Sequence, residues 1–305
     1  MRLITKFIRV LKKPFYVEML QDSGALAAFG AGILWGFNAF FIRKGLKTSN
    51  PFAGALLSLT VTSFIYFILT IFSGSLYETI PPTNLIFLAS AGFVGYSLAY
   101  LFYYNSIEFI GASRAATITS SRPLLAALLA LLIFREEITF SLGVGTLFVV
   151  TGVILVSGYG GVRKKSRKGE ILAIFTAFCW SIYPILVKEG LRGVMTFFKP
   201  TFITILVAIF FYVILISFFK RSHLLLQVDK SSLRYFTLSG FANGFANLLF
   251  FIALSSSPVT LVVPLSNIYP FIAILLGILL LDEKITIKIF FGAILIFLGV
   301  ALVVT

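Results

Sequence analysis

Ten long apolar runs constrain this chain more than any other feature. They fall at 24–44, 51–73, 83–104, 112–134, 140–158, 169–190, 194–219, 233–254, 258–281 and 287–304, between short polar or Pro/Gly-containing breaks. A bilayer core about 30 Å thick needs roughly 20 helical residues, so each run is long enough to span it. None shows the period-2 alternation of a membrane barrel, and helices satisfy their backbone groups internally where no water is present. The predicted fold class is therefore an all-α polytopic membrane protein with ten transmembrane helices. At 305 residues, 59% hydrophobic and 12% charged, the chain leaves no length for a soluble domain. An integral, multi-pass protein follows, with the cell membrane as the expected location.

The net charge of +14, from 25 Lys and Arg against 11 Asp and Glu, would suggest a nucleic-acid partner in a soluble domain. Here all the basic residues but Arg122 and Lys199 fall in the N-terminal segment, loops and span ends, where they concern topology and lipid. No nucleic-acid partner is required. The first twenty residues lack an uninterrupted apolar core and a small-residue cleavage site, so they do not read as a cleaved signal. Arg2, Lys6, Arg9 and Lys13 recur opposite Leu3, Phe7, Val10 and Leu11, describing a basic amphipathic segment over 1–23 that would lie among anionic lipid headgroups; a disordered basic tail accounts for the same residues. A single cysteine, Cys179, and a single histidine, His223, exclude a disulfide framework and a Cys/His metal cluster, and no cofactor is expected.

An internal repeat organises the rest. WGFNAFFIRKGL around Trp35 returns as WSIYPILVKEGL around Trp180. RPLLAALLALLIFREEIT at 122–139 matches YPFIAILLGILLLDEKIT at 269–286, and AYLFYY at 99–104 matches ANLLFF at 246–251. Three blocks in one order at nearly one spacing divide the chain into a basic segment (1–23), a five-helix repeat (24–158), a basic linker (159–168) and a second five-helix repeat (169–305). Because five is odd, the second copy must enter the membrane from the opposite side, which makes two inverted five-helix repeats, a layout of many secondary transporters.

On these residues the chain resembles the drug/metabolite transporter superfamily, EamA branch. The resemblance rests on the Trp-containing first helix of each half, the Pro-centred fourth helix ending in an acidic residue (Pro123 to Glu136, Pro270 to Glu283), and the Gly-bearing fifth helix (Gly145 and Gly152, Gly292 and Gly299). It implies a central cavity lined by the first, third and fourth helices of each half, with the fifth helices at the edge. It implies no particular solute, since the scaffold serves exporters of amino acids and metabolites and carriers of nucleotide sugars and phosphorylated sugars. Independently, Gly24, Ala28, Gly32 and Gly36 recur every four residues, a smooth stripe for close helix approach in lipid.

Arg122, near the middle of the fourth span, is the residue that most needs an explanation. A charge at that depth costs between about 3 and more than 10 kcal/mol, so it must face water, a counter-ion or a solute. Pro123 follows it and frees the carbonyl one turn earlier, around Thr119. The sequence predicts that Arg122 lines the cavity and binds a solute carboxylate or phosphate; bonding to helix carbonyls to hold the bundle together is the competing account. Lys199 lies near enough to a helix end to snorkel. Tyr96 and Tyr100 occupy the repeat positions of Asn243 and Asn247, each pair on one helix face. Asn38 matches Tyr183, and Ser121, beside Arg122, lies next to the repeat position of Asn267. Together with Trp35, Trp180 and Tyr269 these form the predicted solute wall, although interhelical hydrogen bonding and aromatic packing explain any one of them as well.

All 11 acidic residues fall in tails, loops or helix ends, so no carboxylate is placed to couple protons at the midplane. This favours facilitated transport or exchange by alternating access. A polytopic enzyme acting on a lipid-linked substrate would need convergent acids, yet Glu136 and Glu137 emerge on the face opposite Asp282 and Glu283. A non-transporting receptor or scaffold is the other alternative, and a second copy of the chain is left open as a partner. Counting basic residues puts eight on the side of the termini and 15 on the other, which argues for exterior termini. The family resemblance and the basic N-terminal segment argue for cytoplasmic ones.

Overall fold

The computed structural model describes residues 2–157, 166–281 and 286–304, among which regular structure is helical and no strand occurs. Among the described residues ten helices are long and apolar enough to cross a membrane: α1 (Ser23–Gly45), α2 (Pro51–Phe72), α3 (Pro82–Ile110), α4 (Arg114–Phe134), α5 (Phe140–Ser157), α6 (Arg167–Gly190), α7 (Phe198–Phe218), α8 (Lys230–Ser256), α9 (Val259–Leu280) and α10 (Ile287–Val304). The chain is thus an integral, multi-pass membrane protein. The helix containing α1 begins at Arg2. The expected headgroup contact of that segment concerns side chains outside the described residues, as does most of the 159–168 linker.

Local sequence explains where the helices begin. Asn50 accepts the N–H groups of Phe52 and Ala53 at 3.0 Å while Pro51 occupies the first turn of α2. Asp229 and Ser232 form a capping box at the start of α8, and these bonds hold the exposed Asp229 carboxyl down at about 2.

Two predicted spans are not continuous helices. Helix α4 breaks between Thr119 and Arg122, and α9 breaks between Ser266 and Tyr269, in each case just before a proline, Pro123 or Pro270. Proline lacks the N–H and crowds the preceding turn, so the helix restarts at that point. Helix α3 runs to Ile110, beyond the expected 104, and carries a π-helical stretch at Phe93–Leu98. Such stretches concentrate at functional sites.

Packing is mainly between the halves. Helix α1 packs on α8 and α9, and α6 correspondingly on α3 and α4; α2 meets α7 and α8, α7 meets α2 and α3, and α5 pairs with α10. Exchanging the halves leaves these pairings unchanged. At the α5–α10 contact a Cβ on Gly145 would lie 2.8 Å from the Gly299 carbonyl oxygen, and one on Gly152 would lie 2.7 Å from that of Gly292. The order of these contacts makes the two helices antiparallel, and only glycine permits the approach. Gly32 and Gly36 similarly lie against the backbone of α9 around its break. Phe64, Phe72, Leu132, Phe210, Phe290 and Phe297 are exposed on the outer surface, as lipid-facing side chains should be.

Candidate functional site: a central cavity closed at one end

A cavity of about 340 Å³ lies between the halves. Its walls come from α1 (Trp35, Asn38), α3 (Gly95, Tyr96, Tyr100, Tyr103, Tyr104), α4 (Arg122), α6 (Trp180, Tyr183, Pro184), α8 (Asn243, Phe250) and α9 (Val263, Ser266, Tyr269). These are the first, third and fourth helices of each half. The cavity extends from the α4 and α9 breaks to Ile107, Leu46 and the exposed Arg43, at the ends of α3 and α1.

The α4 break positions Arg122 as the first residue of the helix Arg122–Phe134, so its guanidinium sits where the helix dipole is also positive. Arg122 Nε donates to Asn267 Oδ1 at 2.9 Å, across the two broken helices. Three aromatic rings surround the guanidinium, with centroids 5.3 Å (Tyr269), 5.8 Å (Trp35) and 6.0 Å (Trp180) away. The Arg122 carbonyl accepts from Ser181 Oγ of α6. Among the described residues no carboxylate pairs with Arg122. Asn267 Nδ2, buried beside it, has no hydrogen-bond partner among the described residues.

Most of the other predicted wall residues are bonded to one another. Trp35 Nε1 donates to Asn243 Oδ1, and Asn243 Nδ2 donates to Thr62. The Tyr96 hydroxyl donates to Asn247 Oδ1 at 2.6 Å and lies 3.1 Å from the Tyr183 hydroxyl. Asn247 Nδ2 donates to the Asn243 carbonyl, Trp180 Nε1 to the Gly95 carbonyl, and Ser239 Oγ to Asn38 Oδ1. Asn247, Asn267 and Ser121 do not line the cavity. Asn247 and Asn267 are buried behind it, and Ser121 Oγ bonds back to the Ile118 carbonyl in the α4 break. Tyr100 and Tyr269 do line it. Tyr103 and Phe250, absent from the expected wall, share one repeat position; AYLFYY and ANLLFF, read one helical turn beyond Tyr100, carried that signal.

The opposite end is shut. Between Arg122 and the ends of α6 and α8 lie the fully buried Ala130, Val187, Leu254 and Val262. Beyond them Glu136 Oε1 accepts from Lys188 Nζ at 2.8 Å and from the Val259 N–H at 3.0 Å, while Oε2 accepts the Thr260 N–H and hydroxyl, both at 3.0 Å. One carboxylate thereby joins the end of α4 to the start of α9 and the end of α6. Burial alone would raise the Glu136 pKa, but the bonds from Lys188, Thr260 and Val259 outweigh it and leave the carboxyl below its ordinary value. On the same side Asn84 Nδ2 donates to the carbonyls of Gly190 and Arg192. Lys199 Nζ donates to the carbonyls of Leu76 and Glu78, so it closes a loop and does not reach the cavity.

Similarity to known proteins agrees with this architecture. A solved crystal structure superposes with a TM-score of 0.78 at 18% identity, covering 92% of this chain and 95% of the other, which shows a shared fold. An uncharacterized transporter of Archaeoglobus fulgidus is 27% identical over 284 residues, spanning 91% of this chain and 96% of the relative. The uncharacterized transporter YdfC of Bacillus subtilis is 25% identical over 150 residues, about half of each chain. The sequence model of the EamA-like transporter family matches residues 22–158 and again 167–305. With both halves matched, the chain belongs to the EamA-like transporter family of membrane proteins.

Proposed function

We propose that this membrane transporter moves a small metabolite carrying a carboxylate or phosphate, by alternating access through the cavity between two inverted repeats. One observation carries the proposal: a guanidinium at the inner end of a central cavity, ringed by aromatic side chains, with no carboxylate partner among the described residues. Such a charge is costly in a bilayer unless an anion meets it, and the Arg fork suits carboxylate and phosphate. The antiparallel fifth helices and the exchange-symmetric pairings support inverted halves, and a cavity open at one end but shut at the other suits one state of an alternating cycle. Among the described residues no carboxylate lines the cavity, which favours facilitated transport or exchange over proton coupling. With the termini cytoplasmic and the protein in the plasma membrane, the cavity faces the exterior.

Counterflow of labelled organic acids and sugar phosphates in proteoliposomes, comparing the parent with Arg122→Gln and Arg122→Lys, tests this. Solute flux and saturation should collapse in the Gln variant and fall in the Lys variant. Unchanged solute affinity in a folded Arg122→Gln protein refutes the anion site, and flux that requires a pH gradient refutes the facilitative mechanism.

A further inference from the structure

Resting on the anion reading of Arg122, we infer a narrower solute class: an organic anion with no cationic group of its own and a flat, largely apolar body. The inference follows from which polar groups of the cavity remain unbonded. Wall polar groups on Trp35, Tyr96, Trp180, Tyr183 and Asn243 already have protein partners. Among the described residues Asn38 Nδ2 and the terminal nitrogens of Arg122 have no hydrogen-bond partner, and both are donors only. The groups that could still accept a bond, Asn38 Oδ1, Asn243 Oδ1 and phenol hydroxyls such as those of Tyr100 and Tyr269, are all uncharged and cannot neutralise a cation.

An ammonium group on the solute would therefore meet no carboxylate. The rings of Trp35, Trp180 and Tyr269 already hold the protein's own cation, so a solute cation would be left with the remaining tyrosine and phenylalanine rings in a cavity that already contains that guanidinium. A second cation there faces like charge at low dielectric, which disfavours amines and also zwitterions of the amino-acid type. The aromatic walls leave stacking and apolar contact as the means of holding the solute body.

The chain supplies its own reporter, since its two tryptophans, Trp35 and Trp180, both flank Arg122. The full chain in lipid nanodiscs is titrated with 3-phenylpropanoate, phenylalanine and phenethylamine, which share a body and differ in charge, while tryptophan emission is followed. 3-Phenylpropanoate should give a saturable change, with phenylalanine and phenethylamine weaker by about tenfold or more. In Arg122→Gln, checked for folding by its thermal transition, the response to 3-phenylpropanoate should weaken by a similar factor; Arg122→Lys should restore part of it. Phenylalanine binding as tightly as 3-phenylpropanoate, yet still dependent on Arg122, overturns the solute class and leaves the anion site standing. Binding of 3-phenylpropanoate that is unaltered in folded Arg122→Gln overturns both. Absence of any saturable response to 3-phenylpropanoate overturns the class, because the cavity then rejects its simplest member.

Discussion

Replacing Glu136 with Gln should loosen the closed end of the cavity. The carboxylate has four donors: the Lys188 ammonium at 2.8 Å and three groups at the start of α9, each at 3.0 Å. Gln keeps one acceptor oxygen, loses the charge, and turns an amide donor toward groups that are themselves donors. Removing one partner of a buried ion pair costs about 3–5 kcal/mol. Because the Lys188 side chain retains 27% exposure and Glu136 10%, the lower figure of about 3 kcal/mol applies. That corresponds to roughly a 10²-fold shift toward opening of this shut end. A suitable reporter is Val187→Cys in a Cys179→Ala background, since Val187 is fully buried beside Lys188 and Cys179 is the only native cysteine. When a seal opens rarely, thiol labelling follows the open population, so the rate should rise by about 10²-fold. Glu137→Gln, at the exposed neighbouring position, should leave it unchanged. A rise of less than about threefold, the value of an ordinary surface pair, would show that Glu136 does not hold the seal.

The depressed pKa of Glu136 also sets a pH dependence. Its stabilisation is complete above the ordinary carboxylate value of about 4.3 and is lost as pH falls through the lower value in the sealed form; labelling of Val187→Cys, normalised to an exposed cysteine, should stay flat from about pH 8 to 5 and rise only below. Gly152→Leu, placed against the Gly292 carbonyl, should force α5 and α10 apart and lower thermal stability by at least about 1–3 kcal/mol, whereas an unchanged transition would refute the close contact. Tyr96→Phe leaves Asn247 Oδ1 without its donor and should cost about 1–2 kcal/mol of stability while solute affinity changes little; the reverse pattern would make Tyr96 a solute contact. Asn50→Ala should cost about 1–2 kcal/mol, measured by thermal unfolding, because it removes the α2 cap and the bond from Asn50 to the Leu224 carbonyl.

Much of the architecture could be read from single helices. Span number follows from hydropathy and length, and the close-packing faces from glycines at Gly145, Gly152, Gly292 and Gly299. Arg122 stood out because a lone charge deep in a span has few tolerable surroundings. The expected polar wall was less legible: Asn247 and Asn267 have the chemistry of solute ligands, yet they lie behind Tyr96 and Arg122 and orient them. Their sequence spacing specifies a helix face, and that face meets another helix.

What the chain alone determined is a membrane bundle of ten spans built from a doubled unit with one charge in its interior, because backbone bonding and apolar length in lipid are properties of each segment by itself. The assembled bundle adds which polar groups satisfy each other, where α4 and α9 break against one another, and that Glu136 seals one end through residues 52 to 124 positions away. Those outcomes depend on which faces of distant helices come into contact, and hydrogen-bond partners across such a contact are set by that geometry.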